Sequence, residues 1–213
     1  MTYCVAIKLA EGLVFASDSR TNAGFDQIAT FRKNFVFGHP GERFIALLTS
    51  GNLATSQSVI SLLQSRGNEP HNDHLISRTS MYDAAVLVGA TLREVVERDS
   101  AGHAAGTDLG CSLLIGGQIG TEPPRLFQIY PEGNFIEATR ETPYLQIGES
   151  KYGKPILDRV IHYRCPMALA WQAALISFDS TMKSNLSVGM PLDMLAYRKD
   201  RLDKGHHVRI RED

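Results

Sequence analysis

The sequence predicts an α+β fold: two antiparallel sheets packed face to face with helices outside both, a four-layer αββα sandwich. Three observations predict it. Strand-like and helix-like runs come in blocks, in the order strands, two helices, strands, two helices, strand, and blocks argue α+β over alternating α/β. The links inside the strand blocks are tight turns, which join antiparallel neighbours. The chain has 213 residues, 43% hydrophobic and 21% charged, enough to bury a substantial core. No boundary is rich in proline or serine and nothing repeats at a fixed short period, so residues 1–213 read as a single domain.

The elements follow in order. TYCVAIKL and LVFASDSR flank a turn at Ala10, Glu11 and Gly12 and read as a hairpin; TNAG at 21–24 is the next turn. FVFG at 35–38 and RFIALLTSG at 43–51 are strands separated by the HPGE turn. Leu53, Val59, Ile60, Leu62 and Leu63 then mark a helix that stops at Gly67. After a polar loop, Ala85, Val88, Gly89, Leu92, Val95 and Val96 recur at helical spacing, with Arg93, Glu94, Glu97 and Arg98 opposite, giving a helix over 82–99. The AGHAAGTDLG loop returns the chain to strands: CSLLIGGQ, RLFQIYP, NFIEATR and YLQIG, turning at EPP and PEGN. KPILDRVIHY and MALAWQAALISFDSTM are helical, split by Cys165 and Pro166. LSVGMPLDMLAYRKD holds a last strand, and RKDRLDKGHHVRIRED, from about residue 198, reads as a polar, mobile tail.

Composition excludes several functions. A net charge of −1 provides no basic face for nucleic acid. No apolar run approaches the roughly 18 residues of a membrane span, and the opening carries no basic leader ahead of an apolar run, which points to the cytoplasm. Cys4, Cys111 and Cys165 are widely spaced and odd in number, so they read as free buried thiols in a reducing compartment. His71 and His74 flank a loop and His206 and His207 lie in the closing segment; a lone His-x-x-His is weak as a metal site, and no metal or cofactor is expected. GGQIG at 116–120 is a strand end, since no helix bearing Lys-Ser/Thr follows it.

The first twenty residues carry the chemistry. A threonine directly follows the initiator methionine and leads an apolar strand. A turn centred between Ala10 and Glu11 pairs residues whose numbers sum to about 21, which sets Thr2 opposite Asp18 and Ser19. A hydroxyl and a carboxylate thus meet by local geometry alone. Gly51, in TSGNLA, stands where a strand meets a helix, and a glycine there leaves its N–H open to an oxyanion.

TYCVAIKLAEGLVFASDSRT resembles the start of proteasome-type β-subunits, and ALLTSGNLATSQSVI resembles that family's strand–Gly–helix segment. With LQIGESKYGKPILDRVI and FDSTMKSNLSVG, the resemblance covers nearly the whole chain and is strongest to the Anbu (ancestral β-subunit) branch of these N-terminal nucleophile hydrolases. It implies an αββα hydrolase fold, self-assembly into a ring or open spiral, and peptide or unfolded protein as substrate. Relatives also use separate ATPase partners, and nothing in the sequence marks a docking surface for one.

The resemblance also implies roles. Once Met1 is removed, Thr2 would present its Oγ as nucleophile and its α-amine, with a pKa near ~7.7–8.0, as base. Asp18 would orient Lys33, whose charge lowers the amine's pKa, and Arg20 belongs to the same motif. Arg32 is adjacent, but only the lysine can exchange a proton. Gly51 would be the oxyanion donor, with Thr49 and Leu53 flanking the substrate pocket. The family's Gly-Ser-Gly segment reads Ile147-Gly148-Glu149-Ser150, so either Glu149 replaces the serine or Ser150 has shifted by one. Its Asp-x-x-Ser segment falls on Ser184 with Thr181 at the first position, Asp179 being the other candidate. A ring-forming scaffold with vestigial chemistry, and an amidase for a small non-peptide amide, are the alternative functions. Apolar residues beside the second helix, Leu75, Ile76, Met81 and Tyr82, are expected to form a contact surface.

Overall fold

The computed structural model describes residues 2–22, 28–67, 74–100 and 108–212. Met1, His71, the second half of the turn at 21–24 and the first seven residues of the loop at 101–110 lie outside the described residues.

The strands are β1 (Tyr3–Leu9), β2 (Gly12–Asp18), β3 (Arg20–Asn22), β4 (Ile28–Thr30), β5 (Asn34–His39) and β6 (Arg43–Gly51). Helices α1 (Leu53–Arg66) and α2 (Met81–Ser100) follow, then β7 (Cys111–Ile119), β8 (Arg125–Ile129), β9 (Phe135–Glu137) and β10 (Tyr144–Gly148). Helices α3 (Lys154–Val160) and α4 (Met167–Ser184) and strands β11 (Leu192–Arg198) and β12 (His206–Ile210) complete the order.

Two five-stranded antiparallel sheets form the middle, ordered β10-β1-β2-β11-β12 and β5-β6-β7-β8-β9. Strand alternation divides the apolar residues into three cores. Val5, Ile7 and Val14 face α3 and α4, where Leu157, Ala170 and Phe178 meet them. Ile45, Leu47 and Ile115 face α1 and α2. Cys4, Ala6, Phe15, Leu48 and Leu114 fill the space between the sheets. Three cores make four layers, as the block order predicts.

α1 starts where the Asn52 side chain accepts the Thr55 N–H, one of the donors a helix start leaves unpaired. α3 is shorter than the ten-residue run predicted for it, ending at Val160. The expected contact surface is also smaller: Leu75 and Met81 are fully buried against α1 and α2, and Tyr82 is the large exposed side chain that remains.

The closing segment is not a tail. β12 pairs antiparallel with β11, from Leu192 opposite Ile210 to Ala196 opposite His206. The reason is electrostatic and backbone-based: Arg209 Nη1 donates to both oxygens of the buried Asp193, at 3.0 and 2.7 Å. A buried carboxylate demands such a partner, so a polar strand is what this edge requires.

Candidate active site

The hairpin register is the predicted one. Cys4 lies opposite Ser17 and Leu9 opposite Gly12, which brings the chain start alongside the end of β2. The Tyr3 N–H donates to Asp18 Oδ1 at 3.1 Å. Thr2 is buried, and its carbonyl accepts the Glu149 N–H at 2.7 Å. This contact depends on Gly148, which has φ +81° and where a Cβ would stand 2.0 Å from the Thr2 oxygen.

Lys33 sits just before β5 and only 4% of it is exposed. Its Nζ donates to Asp18 Oδ1 at 2.8 Å and to the Arg20 carbonyl at 2.6 Å. Arg32, one residue earlier, is exposed. Burial pushes the Asp18 carboxyl above its ordinary value; the Lys33 charge opposes this, as do the N–H groups of Tyr3 and Gly189. Arg20 also braces the site from outside. Its Nη1 donates to the Leu186 carbonyl at 3.1 Å, and its guanidinium lies across Gly189.

Gly51 ends β6 with φ +109°, and a Cβ there would stand 2.5 Å from the Gly110 carbonyl oxygen. The glycine is therefore required by conformation and by space. In an antiparallel strand, alternate residues direct their N–H groups to opposite sides. Thr49 N–H reaches the Lys33 carbonyl at 3.0 Å, while Asn52 N–H reaches Gly110 on the other side. Gly51 shares the parity of Thr49, so its N–H points to the Lys33 side of β6. Thr49 is buried and Leu53, the first residue of α1, is half-buried beside it.

A family model described as "Proteasome subunit" matches residues 2–193. Solved structures of Anbu from Yersinia bercovieri and of the Anbu complex from Pseudomonas aeruginosa, the latter in a helical assembly, are 58% and 60% identical, with TM-scores of 0.95 and 0.96. A Gly-1 mutant of Anbu from Hyphomicrobium sp. strain MC1 is 48% identical, with a TM-score of 0.93. Each alignment covers 100% of this chain and 88% of the other. The chain belongs to the proteasome-subunit family, in its Anbu branch. No curated protein matches it.

The proteasome family's downstream serines map less simply. Glu149, not Ser150, is the residue whose backbone holds Thr2. Its side chain accepts from Asn185 Nδ2 at 3.0 Å and from the Lys151 N–H at 3.0 Å. Ser150 lines a separate surface hollow with Tyr144, Lys154 and Asp158. Ser184 is exposed at the last position of α4, and among the described residues no hydrogen bond joins it to Thr2, Asp18 or Lys33. Asp179 is an exposed helix residue paired with Lys183, and Thr181 Oγ1 is turned back onto the Ser177 carbonyl within α4.

What does reach the site is the loop after α4. Asn185 bonds to Glu149, Leu186 to Arg20, and Gly189 to Asp18. Ser187 is the serine of that loop.

Among the described residues no group of three or more His, Cys, Asp or Glu could hold a metal ion. Cys4, Cys111 and Cys165 are free and buried. Burial pushes the Cys111 thiol up to about 12, far from a thiolate nucleophile. His206 and His207 belong to β12, the latter 3.4 Å from Asp193. Among the described residues no helix is long and apolar enough to cross a membrane.

Proposed function

We propose that this chain is a threonine-type hydrolase of peptide bonds, acting through Thr2 after removal of Met1, and that it works as the repeating subunit of a homo-oligomer. The observation that carries the reading is the buried Lys33, held between the Asp18 carboxylate and the Arg20 carbonyl beside the start of β1. Burying a lysine is costly unless its charge is paired, and here Asp18 pairs it and fixes it beside the chain start. Here the charge lowers the pKa of the Thr2 α-amine, so that more of the amine is free base at neutral pH.

The chemistry follows from these positions. Thr2 Oγ attacks the scissile carbonyl carbon while the α-amine takes the hydroxyl proton. Negative charge moves to the carbonyl oxygen, where the Gly51 N–H stabilises it. The amine then passes its proton to the leaving nitrogen, the C–N bond breaks, and water releases the acyl group from Oγ by the same steps. No cofactor is needed. Arg20, Thr49 and Leu53 border the substrate, and Arg20 acts mainly by fixing the loop over Asp18. The helical assembly of the Pseudomonas relative supports self-assembly by a repeated head-to-tail contact. An intact, paired Lys33 favours an active subunit over a vestigial scaffold.

Mass spectrometry should find Thr2 as the first residue of the purified protein. Thr2→Ala should abolish peptide turnover without altering the far-UV spectrum or the unfolding midpoint. Unchanged turnover in the processed variant would refute the threonine mechanism.

A further inference from the structure

Outside the proposed site, one cavity combines an open strand edge with an unpartnered buried side chain. β5 is the edge strand of its sheet. The Thr49 N–H to Lys33 carbonyl bond, with Asn34 opposite Leu48 and Phe35 opposite Leu47, fixes the parity of the strand. Phe35, Phe37 and His39 direct their backbone groups to β6. Asn34, Val36 and Gly38 therefore direct theirs outward, where no strand pairs with them among the described residues. Such an edge is a template for an added strand.

The space beside it is built. A cavity of about 430 Å³ runs along Asn34–Gly38 and is walled opposite by Asp203, Lys204, Gly205 and His207, from the end of the β11–β12 hairpin. The far wall is fixed: Gln118 holds Tyr197 and Asp200 of that hairpin, and the Gly41 N–H holds the Leu202 carbonyl at 2.8 Å. Asn34 lines the cavity, is 4% exposed, and among the described residues neither its amide oxygen nor its amide nitrogen has a partner. An amide offers one acceptor and two donors, the complement of a peptide group. Val36 is 45% exposed and supplies apolar contact.

Charge selects the occupant. Arg32, Lys204 and Arg43 line the cavity, Arg43 being held by the Arg78 carbonyl and lying 3.9 Å from Glu42, while the lining carboxylate, Asp203, is engaged by Arg201 and the Gly205 N–H. We infer that this groove binds an extended, acidic polypeptide segment as an added strand on β5. It begins beside Lys33, at Arg32, so it serves as an exosite for the polypeptide chains on which the proposed peptidase acts. This use rests on the peptidase reading; the binding itself does not.

Fluorescence polarisation tests it with a fluorescein-labelled decapeptide alternating Asp and Val, and with the same peptide carrying Lys for Asp as control. Both are measured on assembled Thr2→Ala protein, so that cleavage plays no part. The acidic peptide should bind and the basic one should not, and added salt should weaken the binding. Val36→Pro removes an outward N–H without touching the β5–β6 ladder and should weaken binding by roughly tenfold or more. Lys204→Glu, on the opposite wall, should weaken it too while leaving the unfolding midpoint unchanged. No binding, or equal binding by the wild-type edge and both variants, would overturn the inference. Binding only to dissociated subunits would overturn it as well and assign the edge to contacts between copies. Failure here would leave the Thr2 mechanism untouched, and binding would persist even if Thr2 proved not to be a nucleophile.

Discussion

The same sheet contains two hairpins of opposite character. In the first, β1 and β2 bury every residue except the half-buried Lys8. In the second, β11 is buried almost throughout, while β12 runs from exposed to half-buried. The first hairpin is held by apolar contacts on both faces. The second is held by its backbone ladder, by Asp193 with Arg209, and by Trp171 packed near His206. The difference is one of position: a central strand must be apolar on both sides, whereas an edge strand can be polar and benefits from charge. The candidate site lies at the end of the first hairpin, where a central strand places the polar groups Thr2 and Asp18 at the limit of the apolar core.

The largest effect that sharpens this comparison is expected at Lys33. Lys33→Ala should abolish turnover and lower stability by about 3–5 kcal/mol, because Asp18 is left buried without its partner. Arg32→Ala should alter stability by less than about 0.5 kcal/mol, being exposed, and leave unchanged the turnover of a short uncharged peptide that does not extend along β5. The reverse ranking, in peptide hydrolysis and urea unfolding, would break the assignment. In the second hairpin, Arg209→Ala should lower stability by about 3 kcal/mol, since it removes both Arg209 bonds to the buried Asp193 and leaves it His207 at 3.4 Å. A loss under about 0.5 kcal/mol would show that β12 is held by its ladder alone.

A smaller effect is expected from the raised pKa of Asp18. An acid whose folded value is raised stabilises the protein fully below its unfolded value and loses that contribution as pH rises through the folded one. Wild-type stability relative to Asp18→Asn should therefore fall as pH rises above about 3.8. Urea midpoints at several pH values measure it, and a difference that grows with pH would reverse the sign. The smallest effect belongs to Ser184→Ala, which should alter neither turnover nor, beyond about 0.5 kcal/mol, stability.

The fold was legible because the strand turns and helix periodicities were local, and the Thr2–Asp18 adjacency because a two-residue turn fixes a hairpin's register. Lys33 was visible only through resemblance: nothing in TFRKNF says that its side chain turns inward to Asp18. The contacts of the loop at 185–189 were not legible, because its partners Arg20, Asp18 and Glu149 are all distant in sequence. β12 was missed because its apolar content is too low to register, while the charge that holds it, Asp193, lies on another strand.

β1 acts as a ruler. Its odd residues, Tyr3, Val5 and Ile7, face the helices, and its even ones, Cys4 and Ala6, face the other sheet. A slip of one residue would exchange a tyrosine and an isoleucine for a cysteine and an alanine on both sides at once. Thr2 is the zero mark of that ruler, set by counting residues along a strand rather than by the shape of a loop. One residue inserted between Thr2 and Cys4 would carry the hydroxyl about 3.3 Å along the strand, out of line with Lys33, though every charged group of the site stayed in place.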